Sequence, residues 1–140
     1  MKGSVKDYMV KEISTIDAEA DVSSAAEKMG QTPRCYLIVL RNDQPLGIVT
    51  EKDMINKVLA KRLDPLKIKV QEIMSSPLIT VDPDTELTAA AELMKEKNVR
   101  KLPVAKDGIL YGVITARDIA DEFADYVDKS VRDILRYIPF

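Results

Sequence analysis

Residues 47–53 read GIVTEKD and residues 112–118 read GVITARD. Both follow one formula: glycine, two β-branched aliphatics, threonine, two variable positions, aspartate. The copies lie 65 residues apart, and that offset aligns residues 5–55 with 70–120 without a gap. Val5, Asp7 and Met9 answer to Val70, Glu72 and Met74. Ala25, Ala26, Glu27 and Met29 answer to Ala90, Ala91, Glu92 and Met94, and Leu37 and Val39 to Leu102 and Val104. A match of this length and order marks an internal duplication, which decides the architecture before any single element is considered.

Each copy carries the same succession of signals. A short extended stretch comes first, ISTI at 13–16 and LITV at 78–81. Val22, Ala25, Ala26 and Met29 then recur at helical spacing, as do Leu87, Ala90, Ala91 and Met94. Thr85, after the turn-forming Asp82-Pro83-Asp84, reads as N-cap of the second of these helices. The apolar strands CYLIVL and LGIVT are joined through RNDQP (41–45), and LPVA and LYGVIT through KDG (106–108); both are hairpin connections. Closing helices are expected from about Asp53 to Leu63 and from about Asp118 to Val127. The fold class is therefore α/β (α+β): two β-α-β-β-α repeats, at 1–64 and 70–128, joined by a linker at 65–69 and followed by a helical tail at 129–140. One repeat alone would be marginal; two can share a core.

Composition narrows the function. The 140 residues carry 21 basic and 23 acidic side chains, well mixed, for a net charge of −2. No basic block suggests nucleic acid, no apolar run approaches a membrane span, and the N-terminus lacks a signal-peptide core. A cytoplasmic location is expected, and the single cysteine, Cys35, agrees with a reducing compartment. There is no histidine. The commonest general base and metal ligand is therefore missing, and a zinc site is not expected. Neither a Walker loop nor GxGxxG occurs. Acidic groups such as Asp82/Asp84/Glu86 read as solvated helix and loop faces, the methionines as core filler, and Cys35 as a buried, inert thiol.

The strand-end motif supports two readings. Thr50 and Thr115 can cap the following helices, with Asp53 and Asp118 at the N3 position. The same carboxylates can accept hydrogen bonds from a vicinal diol such as a ribose presents, beside backbone amides that favour an anion. The glycine leaves room for something to approach the backbone.

With these residues in place, both repeats resemble cystathionine-β-synthase (CBS) domains, and VQEIMSSPLITVDPDTELTAAAELMKEKNVRKLPVAKDGILYGVITARDIA is the better match. The resemblance covers 5–55 and 70–120. It implies a stand-alone tandem pair (a Bateman module) with pseudo-two-fold symmetry, two clefts, and binding of an adenosine-containing ligand such as AMP, ADP, ATP or S-adenosylmethionine. It implies that Ile48, Thr50, Lys52 and Asp53 share one cleft with Leu78, Ile79, Arg100, Lys101 and Pro103. Val113, Thr115, Arg117 and Asp118 would share the other with Ile13, Ser14, Cys35 and Tyr36. Aliphatic side chains would sandwich adenine, the aspartates would take ribose hydroxyls, and the cations phosphate. Cys35, Tyr36 and Ile38 replace the basic pair and the proline of the other repeat, so the Asp53 cleft is expected to be the stronger phosphate site. The resemblance further implies a regulatory role without catalysis, no required cofactor or metal, a homodimer formed through helices, and an unidentified protein target. The alternative is an interaction or dimerisation module whose clefts are vestigial. In the tail, VRDIL at 131–135 echoes VKDYM at 5–9 and VQEIM at 70–74, reading as a helix capped by Ser130 or as a contact surface carrying Tyr137, Ile138 and Phe140.

Overall fold

A computed structural model describes residues 3–124, 133, 134 and 136. The chain divides into two compact units, residues 13–78 and residues 1–12 with 79–140.

The unit at 13–78 contains β1 (Thr15–Asp17), α2 (Val22–Gly30), β2 (Tyr36–Arg41), β3 (Gln44–Thr50) and α3 (Glu51–Met54), which runs on as a π-helical segment, Ile55–Leu59. Strand β1 pairs parallel to β2, and β2 antiparallel to β3. The connecting turn places Asn42 and Asp43 at φ 51 and 62, the left-handed geometry that lets a two-residue hairpin follow strand twist. Helix α2 is capped by Asp21, whose side chain accepts from the Ser24 amide. It buries Val22, Ala25 and Met29 against Leu37, Val39 and Val49.

The other unit contains α1 (Val5–Tyr8), α4 (Leu87–Lys97), β4 (Lys101–Lys106), β5 (Ile109–Thr115) and α5 (Ala116–Ala124). Strands β4 and β5 form a hairpin with a register shift at Val104/Ala105, the counterpart of the shift at Val39/Leu40 between β2 and β3. Leu87, Ala90, Met94, Leu102, Val104, Ile114 and Val5 make the core.

Three local expectations change. The N-cap of α4 is Glu86, not Thr85; the Thr85 carbonyl instead accepts from the Val5 amide at 2.8 Å, while its own amide closes the turn onto Asp82. The closing helices begin two residues earlier than expected, at Glu51 and Ala116. The extended stretch at 78–81 is reduced to one parallel bridge, Val81 to Val104. Two prolines explain that loss. In the first copy the Ile38 amide donates to Ser14 and the Ala18 amide to Leu40. The equivalent positions are Pro103 and Pro83, which have no N–H to give.

The compact units and the sequence repeats are different partitions of the chain. Residues 70–75 dock on the body that precedes them, and residues 5–10 dock on residues 79–124, through matching bonds. Val70 donates to Ala20, Gln71 to Ala18, and Ser75 and Ile48 exchange a pair at 2.9 and 3.0 Å. Val5 donates to Thr85, Lys6 to Pro83, and Val10 and Val113 exchange a pair at 2.9 and 3.0 Å. Ion pairs repeat the theme, Lys69 with Glu19 and Lys6 with Asp84. Each body thus receives the lead segment that the sequence attaches to the other. The proposed tail helix, its Ser130 cap and Tyr137, Ile138 and Phe140 lie outside the described residues.

Candidate functional site

The glycine of each motif is where the lead segment arrives. A Cβ at Gly47 would stand 2.6 Å from the Ser75 carbonyl oxygen and 2.8 Å from Met74 Sδ. One at Gly112 would stand 2.6 Å from the Val10 oxygen and 2.9 Å from Met9 Sδ. The close approach that the sequence predicts at these glycines is therefore made by the chain's own backbone.

Beyond the glycine, each strand ends in a capping box. Asp53 Oδ2 accepts from the Thr50 amide at 2.9 Å and from Thr50 Oγ1 at 3.1 Å, while the Asp53 amide donates back to Oγ1 at 3.3 Å. Asp118 Oδ2 accepts from the Thr115 amide at 3.0 Å and from Oγ1 at 2.8 Å, and its amide returns a bond at 3.1 Å. The capping reading is thus realised in both copies. It fixes the carboxylates in position, which a ligand-binding role would also require.

The corners differ beyond the box. Lys57, one turn after Asp53, lies 3.0 Å from Asp53 Oδ1, and the Asp53 side chain is only 13% exposed. The same ammonium donates to the Ile73 carbonyl at 2.8 Å, tying the carboxylate to the lead segment. The residue one turn after Asp118 is Glu122, which accepts from the Tyr8 hydroxyl at 2.9 Å. Tyr8 and Ile73 are equivalent under the repeat, as are Glu122 and Lys57. The same two positions are linked in both units, with a cation one turn after one aspartate and an anion one turn after the other.

Of the expected ligand residues, Ile13, Ser14, Cys35, Tyr36, Ile48, Thr50, Lys52, Asp53 and Leu78 lie in the unit at 13–78. There, Tyr36 pairs with Thr50, the Glu51 amide donates to the Cys35 carbonyl, and the Ile38 amide donates to Ser14, so these residues share one strand end. Ile79, Arg100, Lys101, Pro103, Val113, Thr115, Arg117 and Asp118 lie in the other unit. Lys101 pairs with Thr115 and the Ala116 amide donates to the Arg100 carbonyl at 2.8 Å, which sets both cations at the Asp118 strand end of their own unit. Ile13, Ile48, Leu78 and Ile79 are half-buried; Tyr36, Pro103 and Val113 are buried; Lys52, Arg100 and Arg117 are exposed. Cys35 is exposed and not buried as expected, because it stands just before β2 begins. Among the described residues no group of His, Cys, Asp and Glu side chains could hold a metal ion, and no helix is long and apolar enough to cross a membrane.

Lys57, Tyr8 and Glu122 were not among the expected residues. The spacing of Asp53 and Lys57 is an i,i+4 pair and was available as a signal. Tyr8 and Glu122 stand 114 positions apart, and nothing local links them.

The CBS-domain family model matches residues 5–60 and 70–125. The chain belongs to the CBS-domain family. It carries a pair of CBS domains, and it is similar to proteins in which such pairs occur. An uncharacterised protein of Methanopyrus kandleri is 42% identical over 84 residues, 59% of this chain and 43% of that protein. An uncharacterised protein of Methanocaldococcus jannaschii is 30% identical over 133 residues, 93% of this chain and 71% of that protein. The chain thus spans less than half of the first relative and about seven tenths of the second. Among solved structures, a hexameric CBS-CP12 protein from bloom-forming cyanobacteria superposes with a TM-score of 0.82 at 30% identity, covering 95% of this chain and 76% of that one.

Proposed function

We propose that this CBS-domain pair is a regulatory module that binds an adenosine-containing ligand through its two Thr–Asp corners. The observation that carries the reading is the duplicated carboxylate of Asp53 and Asp118. Each is held by a threonine hydroxyl and amide on one oxygen; the other keeps acceptor capacity for a ligand, shared at Asp53 with Lys57. Family membership supports it. The ribose hydroxyls go to these aspartates, and the cations Lys52, Arg100 and Lys101 are the candidates for phosphate. Arg117 is the cation of the second corner. The half-buried aliphatic residues Ile13, Ile48, Leu78 and Ile79 supply apolar surface for a base. No catalytic step is assigned to the chain.

Native-state binding stabilises a fold by about 2.7 kcal/mol at a hundredfold excess over Kd. AMP, ADP, ATP and S-adenosylmethionine are therefore expected to raise the melting temperature where GMP and inosine do not. Failure of every adenosyl compound at millimolar concentration would leave the module as an interaction domain with vestigial corners. We also propose self-association, with Ile55, Leu59, Leu63 and Leu66, all exposed on the unit at 13–78, as its apolar surface. Light scattering across micromolar concentrations is expected to give a dimer or larger; a monomer throughout would refute this.

A further inference from the structure

Asp53 and Asp118 have different acceptor capacity left over. A carboxylate offers about four lone-pair sites. In both corners the Oδ2 sites are taken by the threonine amide and hydroxyl. At Asp53 the Lys57 ammonium also occupies Oδ1, at 3.0 Å. It is itself anchored by a second bond, to the Ile73 carbonyl at 2.8 Å, so it does not simply swing away. At Asp118 the residue in the corresponding place is Glu122, an acceptor already engaged by the Tyr8 hydroxyl. It cannot donate to Asp118 when ionised.

A vicinal diol presents two donors. We propose that Lys57 sets the preference of the Asp53 corner by occupying its free carboxylate oxygen, so that Asp118 is the stronger acceptor of a ligand's vicinal diol. The inference rests on the adenosyl reading above and adds a residue to it. Lys57 is a specificity-determining residue that weakens diol recognition in its own corner. Discrimination against a ligand lacking one of the hydroxyls is correspondingly sharper at Asp118.

The test uses the full chain with adenosine and 2′-deoxyadenosine, calorimetry for affinity, and the amide resonances of Thr50 and Thr115 to show which corner fills. In the wild type, the adenosine-to-deoxyadenosine affinity ratio is expected to be larger at Thr115. Lys57→Met is expected to raise the ratio at Thr50 by roughly threefold to tenfold, the range of one hydrogen bond, and to leave Thr115 unmoved. Glu122→Lys is expected to lower the ratio at Thr115. Tyr8→Phe removes the Tyr8–Glu122 bond without adding a cation, and is expected to leave the ratio alone. Lys57→Leu, which likewise has no donor, serves if the methionine variant melts early. An unchanged ratio at Thr50 in a folded Lys57 variant would overturn this inference alone. Absence of any adenosine response in the wild type and in every variant would overturn the adenosyl reading, and this inference with it.

Discussion

The Asp53 and Asp118 corners are built to one plan and finished differently. Both have a glycine crowded by a lead segment, a threonine cap and an aspartate held by that cap. In one, a lysine closes the free side of the carboxylate; in the other, the equivalent position holds a glutamate that accepts from a tyrosine hydroxyl. The cations differ too, since Arg100 and Lys101 have Cys35 and Tyr36 as their counterparts. What is identical serves the fold, and what differs can separate two ligand sites. Duplication leaves the scaffold constrained by packing while solvent-facing positions one turn away are free to diverge.

The largest effect should fall on what the corners share. Gly47→Val and Gly112→Val each drive a side chain into a backbone carbonyl and a methionine sulfur. Overpacking of this kind costs about 1–3 kcal/mol, and displacing the lead segment would further unpair the bridge it makes. Similar losses for the two variants in urea denaturation are expected. A much smaller loss for one of them would show that the lead segments are not equivalent in energy.

Phosphate should separate the corners next. Charge-assisted bonds contribute about 1.5–3 kcal/mol each when well formed. The family resemblance groups Arg100 and Lys101 with Asp53, and on that expectation Asp53→Ala removes the tight phase of AMP or ATP binding in calorimetry while Asp118→Ala leaves it nearly intact. Arg100→Ala should weaken phosphate-bearing ligands more than adenosine. Combined with the role inferred for Lys57, the corners should rank in opposite order for adenosine and AMP. If Asp118→Ala removes the tight AMP phase instead, Arg100 and Lys101 serve the aspartate of their own strand end.

A smaller difference concerns the caps. Thr50→Ala and Thr115→Ala each remove the hydroxyl that bridges the capping box, at about 1 kcal/mol. The Thr50 loss should be the lesser, because Lys57 still holds Asp53. Thermal denaturation of both variants checks the order.

The smallest effect is a dependence on pH. The hydrogen bond and charge of Lys6 hold the Asp84 carboxyl below its ordinary 3.8, with Lys106 adding to the effect. A lowered carboxyl contributes stability above its unfolded value and loses it as pH falls through the folded one. Lys6 is raised by the same partner, so its share persists until strongly alkaline pH. Lys6→Met should therefore be slightly less stable than wild type at neutral pH and indistinguishable from it in acid. Because both groups are exposed, added salt should also shrink the difference.

Much of this was legible in the sequence. The i, i+3, i+4, i+7 spacing of Val22, Ala25, Ala26 and Met29 predicts α2, Asn42-Asp43 marks the hairpin, and the Thr-x-x-Asp spacing predicts both caps. The reduced strand at 78–81 could have been read from Pro83 and Pro103, once the partner of each missing amide was known. The exchange of lead segments was not legible. Val5 and Val70, Met9 and Met74 are near-copies, and the two bodies offer equivalent carbonyls at Ala20 and Thr85. Symmetric sequences satisfy either pairing, and only the path of the chain chooses. Tyr8 and Glu122 were hidden for the same reason, since their contact exists only in the exchanged arrangement.

That exchange has a consequence for the order in which the protein can be made. Residues 13–78 leave the ribosome as one continuous stretch that contains both a body and its lead segment. This unit can complete its backbone pairing while the rest is still unmade. Residues 5–10 are synthesised before their partners and must wait for Pro83, Thr85 and Val113 to complete these bonds. Until then Val5, wholly buried in the finished protein, lacks the body it packs against. A segment made ahead of residues 13–78 thus finds its place after they do.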